Sequence, residues 1–434
     1  MLRQDEVDML CQVGKGTPAG ELFRRYWTPV LPSADLPEPD ADPQPVTILG
    51  ERLLAFRDSA GEVGLVDEFC PHRGASLAIA RVEDCGIRCI YHGWKFATDG
   101  SIQETPNMPA GSKFSELNRI LSYPVREAGG IIWAYLGPPE KQPPFPEYFW
   151  FHAPPEEVSI SDFSMDCNYL QVQEGSIDSS HLSVLHMGMK LRWALEPDPE
   201  VAAMGGVVRF EGWPGQKMPP GSYIDPIPSN DMAPDFEVQD TDFGFQYAAI
   251  RDSIYGPDRR YARITTVIFP YMAYIPPKNS AVITVPIDDH TTAFMGVHVT
   301  FPSGSETPRP SFPGATRAER HIAGLPHQDR RAMKEGRSFS GYASGRLEDV
   351  AVQVSMGPMF DRHNEHLVSP ADAGIVRYRH LLRRQIRRMA EGEDPEFLDA
   401  GIDTAKIEAG SGLLPPGAPW SELVPGNRVL ETRE

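Results

Sequence analysis

The chain has 434 residues, which is enough for a sizeable core and for more than one domain. Lys and Arg together number 41, whereas Asp and Glu number 60, so the formal net charge is −19. This balance argues against nucleic-acid binding, which needs a basic face, and against binding to an anionic membrane surface.

Cysteine content and the N-terminal sequence bear on the cellular compartment. The five cysteines are odd in number and sparse in a chain of this size, which argues against a disulfide framework. The start, MLRQDEVDML, lacks the apolar segment of a signal peptide, and no apolar run reaches the length that spans a bilayer. We therefore expect a cytoplasmic protein with reduced thiols.

Apolar runs and turn signals divide the chain into four predicted parts. Residues 1–25 predict a short helix followed by a Gly/Pro turn. Residues 26–137 alternate short apolar runs with turn signals, which indicates a small all-β domain. Residues 138–157 are Pro-rich and predict a linker. Residues 158–434 mix helical and strand patterns, so the predicted fold class is α+β.

The long C-terminal part has several distinct predicted elements. A helix is predicted around residues 166–187 and a strongly basic helix near residues 372–390. Three apolar runs predict strands, namely GFQYAAIR, ARITTVIF and SAVITVPI.

Cysteines and histidines alternate within the all-β part. Cys70 and His72 form a C-x-H motif, and after sixteen intervening residues Cys89 and His92 form a C-x2-H motif. A Cys2His2 zinc finger instead keeps its cysteines together and its histidines together. Alternation favours a two-iron cluster in which one iron takes both cysteines and the other both histidines. Structural zinc, or four unrelated core and surface residues, is the alternative.

A glycine follows each of the two motifs, and it would let backbone amides approach the cluster sulfurs. With these glycines, the sequence CPHRGA and, later, CIYHGWKF resembles the Rieske domain, which implies one [2Fe-2S] cluster. The other cysteines, Cys11, Cys85 and Cys167, fit neither motif and are expected to be packing residues.

A second motif, D-x2-H-x4-H, comprises Asp178, His181 and His186. Two nearby histidines with a distant carboxylate are the donors of a 2-His-1-carboxylate site, which binds Fe(II) and leaves positions open for O2 and substrate. Histidines on a solvated or core helix are the alternative. Asp178 shares a helical face with His181, so it is better placed as a hydrogen-bond partner of that histidine than as the third ligand.

The spacing of the two histidines has a structural consequence. On an ideal α-helix, side chains five residues apart project about 140° from each other. His181 and His186 therefore cannot bind one metal from an undistorted helix. We expect the helix to end, kink or bulge between them, near Ser183–Leu185.

Four segments together are similar to the α-subunits of Rieske non-haem iron oxygenases, and most similar to the phthalate dioxygenase branch. They are VGKGTPAGELFRRYW (13–27), the Cys/His loops, NYLQVQEGSIDSSHLSVLH (168–186) and EDVAVQVSMGPMFDR (348–362). The resemblance implies a small all-β Rieske domain followed by a helix-grip-like catalytic domain, in which helices pack on an antiparallel sheet.

The resemblance also implies roles for individual residues. Asp178 matches an Asp that bridges the iron of one subunit and the Rieske cluster of the next, with His92 as its partner there. Asp349, followed four residues later by Gln353, matches the third iron ligand, and Glu348 is the fallback. Asn168 matches an Asn near the iron.

The substrate is less well defined by the sequence. Relatives of the phthalate type bind a substrate carboxylate with Arg, whose planar fork matches the carboxylate. The candidates here are Arg209 and Arg251, with Arg259 and Arg260 behind them, and arginines with no substrate role are the alternative. Gln246 stands where phthalate-degrading relatives are expected to have Arg, which favours another aromatic acid.

The predicted function is therefore the terminal oxygenase of a multicomponent ring-hydroxylating system. O-demethylation of a methoxylated or ether-linked aromatic acid is the alternative within the family, and a Rieske electron carrier is a remote one. No GxGxxG dinucleotide motif is present, so NADH and flavin are expected only through a separate flavin/iron-sulfur reductase. The resemblance implies a homotrimer, or two stacked trimers.

Overall fold

The fold is described from a computed structural model of the chain. The described residues are 2–109, 112–186, 233–252, 260–276, 280–299, 319–336, 338–398, 401–414 and 417–430. Arg209 and Arg259, two of the predicted substrate residues, lie outside them.

Two short helices open the chain, α1 (Gln4–Cys11) and α2 (Pro18–Phe23). Thr17 caps α2 by accepting a hydrogen bond from the amide of Gly20, and Pro18 occupies the first helical position, where a proline is favourable. The predicted helix and Gly/Pro turn are thus present, with a second helix after the turn.

Three small antiparallel sheets lie within residues 27–135. They consist of β1 (Trp27–Pro32), β2 (Gln44–Ile48), β3 (Glu51–Arg57), β4 (Val63–Asp67), β5 (Arg81–Glu83), β6 (Gly86–Arg88), β7 (Lys95–Phe96), β8 (Ile102–Glu104), β9 (Val125–Ala128) and β10 (Ile131–Tyr135), with the one-turn helix α3 (Phe114–Leu117). The strand orders are β1-β10-β9, β2-β3-β4 and β5-β6-β7-β8. The predicted all-β region is confirmed.

The predicted linker is packed against the rest of the protein. It contains only short 3-10 turns, yet Tyr148 and Trp150 are buried, and Tyr148 lies 5.7 Å from Trp133 between ring centroids. Proline content therefore indicated an irregular backbone, whereas the aromatic side chains hold that backbone in place. The domain boundaries themselves stay predictions.

A nine-stranded sheet dominates the rest of the chain. Its strands are β11 (Val158–Met165), β12 (Asp235–Thr241), β13 (Gly244–Asp252), β14 (Arg260–Ile268), β15 (Met272–Tyr274), β16 (Ser280–Pro286), β17 (Thr292–Val299), β18 (His321–Ile322) and β19 (Gly410–Leu414). The order is β12-β13-β14-β15-β16-β17-β11-β18, with β19 beside β14. All pairings are antiparallel except that of β11 with β18. The three predicted strands correspond to β13, β14 and β16.

The described residues of this region also form helices. They are α4 (Tyr169–Ile177), α5 (Arg330–Lys334), α6 (Gly345–Ser355) and α7 (Ala373–Ala390), of which α7 is the predicted basic helix. Helix α4 packs on β15, β16 and β17, and it contacts both α6 and α7. The hydroxyl of Tyr247 on β13 donates to the carbonyl of Ile177, which ties the C-terminal end of α4 to the sheet. The predicted α+β class is confirmed.

Two hydrophobic clusters bear on the positions of the metal motifs. The larger one is continuous from Leu22 on α2 and Trp133 on β10 to Phe245 and Leu382 around the large sheet. A smaller one surrounds the Cys/His loops. Among the described helices, none is both long and apolar enough to cross a membrane.

Candidate metal centres

Two matching loops carry the alternating cysteines and histidines. Cys70 follows β4 and Cys89 follows β6. The amide of Gly74 donates to the carbonyl of Cys70 at 2.9 Å, and the amide of Gly93 donates to that of Cys89 at 3.0 Å. Both glycines have positive φ, 72° and 76°, a backbone conformation that other residues rarely adopt. The shared turn geometry explains why each motif is followed by a glycine.

The side chains of the two loops converge. The ring centroids of His72 and His92 are 4.4 Å apart, and both cysteines are buried. Burial raises the pKa of Cys70 to about 11, and the adjacent Cys89 adds to the shift, so a thiolate here needs a bound metal. Nδ1 of His92 is buried and has no hydrogen-bond partner among the described residues. These donors fit a two-iron cluster.

The remaining cysteines differ in burial. Cys11 packs in the main core and Cys167 in a cluster beneath the large sheet, as expected. Cys85 is exposed in a turn at φ 57°, so the expectation that it is a packing residue is wrong.

Helix α4 ends at Ile177, before His181 and His186. Asp178 caps it with an extended backbone, and His181–Ser183 forms a separate 3-10 turn. The Asp178 carboxylate accepts from the amide of Ser180 at 2.6 Å and from its hydroxyl at 2.8 Å, and such local bonds compete with helix formation. The expected interruption is present, but it precedes His181, so the helix predicted to reach residue 187 is too long.

The chain brings two histidines and a carboxylate together. One ligand atom from each of His181, His186 and Asp349 lies within 4.8 Å of the others. Oδ1 of Asp349, on α6, is 3.7 Å from Nε2 of His181 and 3.3 Å from Nε2 of His186. Two imidazole nitrogens and one carboxylate oxygen are the donors of a 2-His-1-carboxylate site, so this cluster fits a mononuclear iron.

The other ring nitrogen of each histidine faces a further carboxylate. Oδ2 of Asp178 is 3.3 Å from Nδ1 of His181, and Oε2 of Glu348 is 2.5 Å from Nδ1 of His186. Glu348 therefore lies at the opposite edge of the His186 imidazole from Asp349. It does not occupy the position of the third iron ligand, for which it was the fallback. This contact was not predicted, although the adjacent carboxylates at 348 and 349 were a signal for it.

Charges in this cluster shift the pKa values of two groups. Burial opposes ionisation of Asp178, but the hydrogen bonds from His181 and Ser180 outweigh it and hold its pKa below the usual value. Burial likewise opposes protonation of His186, but Asp349 and Glu348 outweigh it and raise its pKa to about 9. The site therefore attracts positive charge.

Two predicted site residues lie elsewhere. Asn168 caps the N-terminus of α4, accepting from Leu170 N, so the whole helix, about 14 Å long, separates it from Asp178. Gln246 lies on the opposite face of β13 from Tyr247 and hydrogen-bonds to Asn427. The structure supports neither Asn168 as a neighbour of the iron nor Gln246 as a substrate contact.

Two arginines lie on the face of the sheet that α4 covers. Arg251 donates to the carbonyl of Ser179 at 3.0 Å, and Arg263 approaches the hydroxyls of Ser179 at 3.5 Å and Thr265 at 3.3 Å. Both arginines are buried, and Ser179 directly follows Asp178. Arg263 was not predicted as a site residue. The pairing of β13 with β14 places it opposite Ala249, and so on the same face of the sheet as Arg251.

Two family models together match most of the chain. The Rieske [2Fe-2S] domain family matches residues 26–124, and the family described as LigXa C-terminal domain like matches residues 134–194, 224–309 and 317–432. The second family alone covers more than half of the chain.

Several curated relatives are similar over most of their length. The phthalate 4,5-dioxygenase oxygenase subunit of Pseudomonas putida is 36% identical over 91% of this chain and 88% of its own. The 3-chlorobenzoate-3,4-dioxygenase oxygenase subunit of Comamonas testosteroni is 30% identical over 96% of both chains. The 5,5'-dehydrodivanillate O-demethylase oxygenase subunit of Sphingobium sp. is 31% identical over 93% of this chain and 86% of its own.

Solved structures share the fold. NdmA of Pseudomonas putida CBB5 with caffeine has a TM-score of 0.56 at 18% identity, over 86% of this chain and 94% of its own. The oxygenase of carbazole 1,9a-dioxygenase, solved with its ferredoxin, has a TM-score of 0.52 at 17% identity, over 89% and 95%. Fold, family matches and donor geometry agree with the resemblance noted in the sequence, and the chain belongs to the Rieske non-haem iron oxygenases as an oxygenase subunit of the phthalate dioxygenase type.

Proposed function

We propose that this chain is the terminal oxygenase of a multicomponent system that dihydroxylates a carboxylated aromatic ring, such as a benzoate- or phthalate-type acid. The observation that carries the proposal is the presence of two different donor sets in one chain. The Cys/His loops suit electron storage, and the cluster of His181, His186 and Asp349 suits O2 chemistry. An electron carrier needs only the first set.

In this proposal the two loops hold the [2Fe-2S] cluster. Cys70 and Cys89 bind one iron, and His72 and His92 bind the other through ring nitrogens. The buried Nδ1 of His92 supports this assignment, because burial without a hydrogen-bond partner is unfavourable unless a metal is bound. Trp94 stacks on His72 at 4.6 Å between ring centroids and restricts the orientation of that imidazole.

His181, His186 and Asp349 are the proposed ligands of Fe(II). The cluster and Fe(II), when bound, supply single electrons and the activation of O2. The protein holds both Nε2 atoms toward Asp349, because a carboxylate accepts from each Nδ1 on the far side. Ligands on one side of the ion leave the opposite side for O2 and the aromatic ring.

Asp178 is proposed to link two subunits. Its side chain is 23% exposed, and within the described part of one chain no hydrogen bond or ion pair joins it to His72 or His92. The cluster end of the chain exposes Ile90 and Tyr91, at 56% and 54%, which a neighbouring subunit would cover. A closed head-to-tail trimer brings His92 of one subunit to Asp178 of the next, and a hexamer of two stacked trimers is the alternative assembly.

Dilution tests the trimer. Analytical ultracentrifugation would measure the oligomeric state and turnover assays the activity, and a monomer with full activity would contradict the trimer. Asp178→Asn tests the link itself. The variant should keep both metal centres, and stopped-flow absorbance should show much slower oxidation of the cluster. Normal turnover of this variant would overturn the role of Asp178.

The substrate carboxylate is proposed to bind near Arg251 and Arg263. Two guanidinium groups beside Ser179 place positive charge next to the segment that carries Asp178 and His181. Two relatives are named for phthalate and 3-chlorobenzoate, which are both carboxylated aromatics, and this supports a carboxylated substrate. Arg251→Lys and Arg263→Lys should each raise KM for the acid more than for its methyl ester. Gln246→Ala, on the opposite face of the same strand, is the control.

Electrons are proposed to come from a separate flavin/iron-sulfur reductase that oxidises NADH in the cytoplasm. Product analysis with candidate aromatic acids tests the reaction type. A cis-dihydrodiol as product supports dihydroxylation. Formaldehyde released from a methoxylated acid would instead support O-demethylation, the reaction for which one relative is named. Reduction of the cluster without any oxygenated product, across a panel of aromatic acids, would support a carrier instead.

A further inference from the structure

Two consecutive carboxylates of α6 hold opposite edges of one imidazole. Oδ1 of Asp349 lies 3.3 Å from Nε2 of His186, and Oε2 of Glu348 lies 2.5 Å from its Nδ1. Neighbouring residues of a helix project about 100° apart, so the ring of His186 lies in the angle between the two side chains. The hydroxyl of Ser340 donates to the other oxygen of Glu348 and holds that carboxylate from behind.

Apart from His186, Glu348 has no cationic side chain as a partner among the described residues. The residue is 4% exposed, and its described hydrogen bonds and ion pairs involve only His186 and Ser340. Glu174, which is similarly buried, pairs instead with Arg362 and Arg379. A buried carboxylate without a cation is strongly unfavourable, so the compensating positive charge must come through His186, either as a proton on the ring or as a metal ion on its far side.

We propose that Glu348 is a positioning residue of the iron centre. Its carboxylate accepts the Nδ1–H of His186, which fixes that tautomer and leaves the Nε2 lone pair directed at the metal. The inference rests on the proposed function, in which His186 is an iron ligand. It assigns to Glu348 a task in iron affinity and ligand orientation, apart from the bond to iron made by Asp349.

Glu348 and Asp178 occupy equivalent positions behind the two histidines, yet they differ in access. The Asp178 side chain is 23% exposed, and that of Glu348 is 5% exposed and ends at Ser340 inside the protein. Glu348 therefore does not offer a route for electrons from a neighbouring subunit. Its contribution is confined to holding His186.

The test is iron affinity in Glu348→Gln, an isosteric change that keeps the packing and removes the charge. Competition with a chelator of known Fe(II) affinity should show binding weakened by about 10- to 100-fold. The electron paramagnetic resonance spectrum of the Fe(II)–nitric oxide adduct should change in rhombicity. The absorbance of the [2Fe-2S] cluster should stay unchanged and reports that the chain is folded. Ser355→Ala, at the exposed end of the same helix, is the control.

The outcomes separate this inference from the proposed function. Unchanged iron affinity and an unchanged nitric oxide spectrum in Glu348→Gln, with iron lost in His186→Ala, would overturn the role of Glu348 alone. Retention of iron in His186→Ala would overturn the proposed ligand set. If Glu348→Gln loses the cluster absorbance, Glu348→Asp decides the question. Its shorter side chain cannot keep the 2.5 Å contact, so weakened iron binding supports the inference and wild-type binding overturns it.

Discussion

A buried ion cluster supports the helix that leads to the iron site. Glu174 lies on α4, one turn before Asp178, and accepts hydrogen bonds from Arg362 Nη1 at 2.8 Å and from Arg379 Nε at 2.5 Å and Nη2 at 2.9 Å. Glu365 pairs with the same two arginines, so two carboxylates balance two guanidinium groups. Removing the charge of Glu174 leaves an excess of buried positive charge.

We expect Glu174→Gln to lower the free energy of unfolding by about 3–5 kcal/mol, the usual cost of removing one partner of a buried ion pair. Glu365→Gln is the comparison variant, because its side chain is more exposed, 16% against 10% for Glu174, so we expect a smaller loss. Urea denaturation of the holoprotein, followed by tryptophan fluorescence, measures both. Equal losses in the two variants would refute the reasoning.

The same pair of proteins tests the dependence on pH. Burial opposes ionisation of Glu174, but Arg362 and Arg379 outweigh it, so its folded-state pKa lies below the ordinary value of 4.5. A depressed pKa stabilises the fold fully above the unfolded-state pKa, and this contribution is lost as the pH falls through the folded-state pKa. The difference in stability between wild type and Glu174→Gln should therefore be constant near neutral pH and shrink below about pH 4.5.

Three further predictions address the metal centres and the sheet. Asp349→Ala should contain one iron fewer per chain by atomic absorption, with the cluster absorbance intact; full iron content would contradict its role as a ligand. Cys89→Ser should abolish the visible spectrum of the cluster, whereas Cys85→Ser, in an exposed turn, should keep it. Tyr247→Phe should lower the free energy of unfolding by about 1 kcal/mol in urea, because the hydrogen bond to Ile177 is lost; an unchanged midpoint would count against that contact.

Patterns that span a few residues predicted the structure well. The Cys/His loops were found because each ligand pair and its turn glycine lie within five residues of one another. Strands β13, β14 and β16 were found because β-branched and aromatic residues cluster in them. The i, i+5 histidines required an interrupted helix, although the position of the break was wrong because the Asp178 turn was not anticipated.

Side-chain orientation within an element was partly available from the sequence. Gln246 and Arg251 are five residues apart on one strand, so they lie on opposite faces and cannot both contact one substrate. Which of the two faces the iron site depends on where α4 packs, and that contact is long-range. Asn168 could be assigned as a helix cap only once the start of α4 was known.

Sequence alone was enough to find the Cys/His loops, the histidine pair, the family and the order of the two regions, because these depend on residue types at short spacings. Tertiary structure decided which carboxylate of α6 faces which edge of His186. The two partners are 162 residues apart, and adjacent side chains of a helix differ only in direction, so packing of α6 against the iron histidines was needed to separate Glu348 from Asp349.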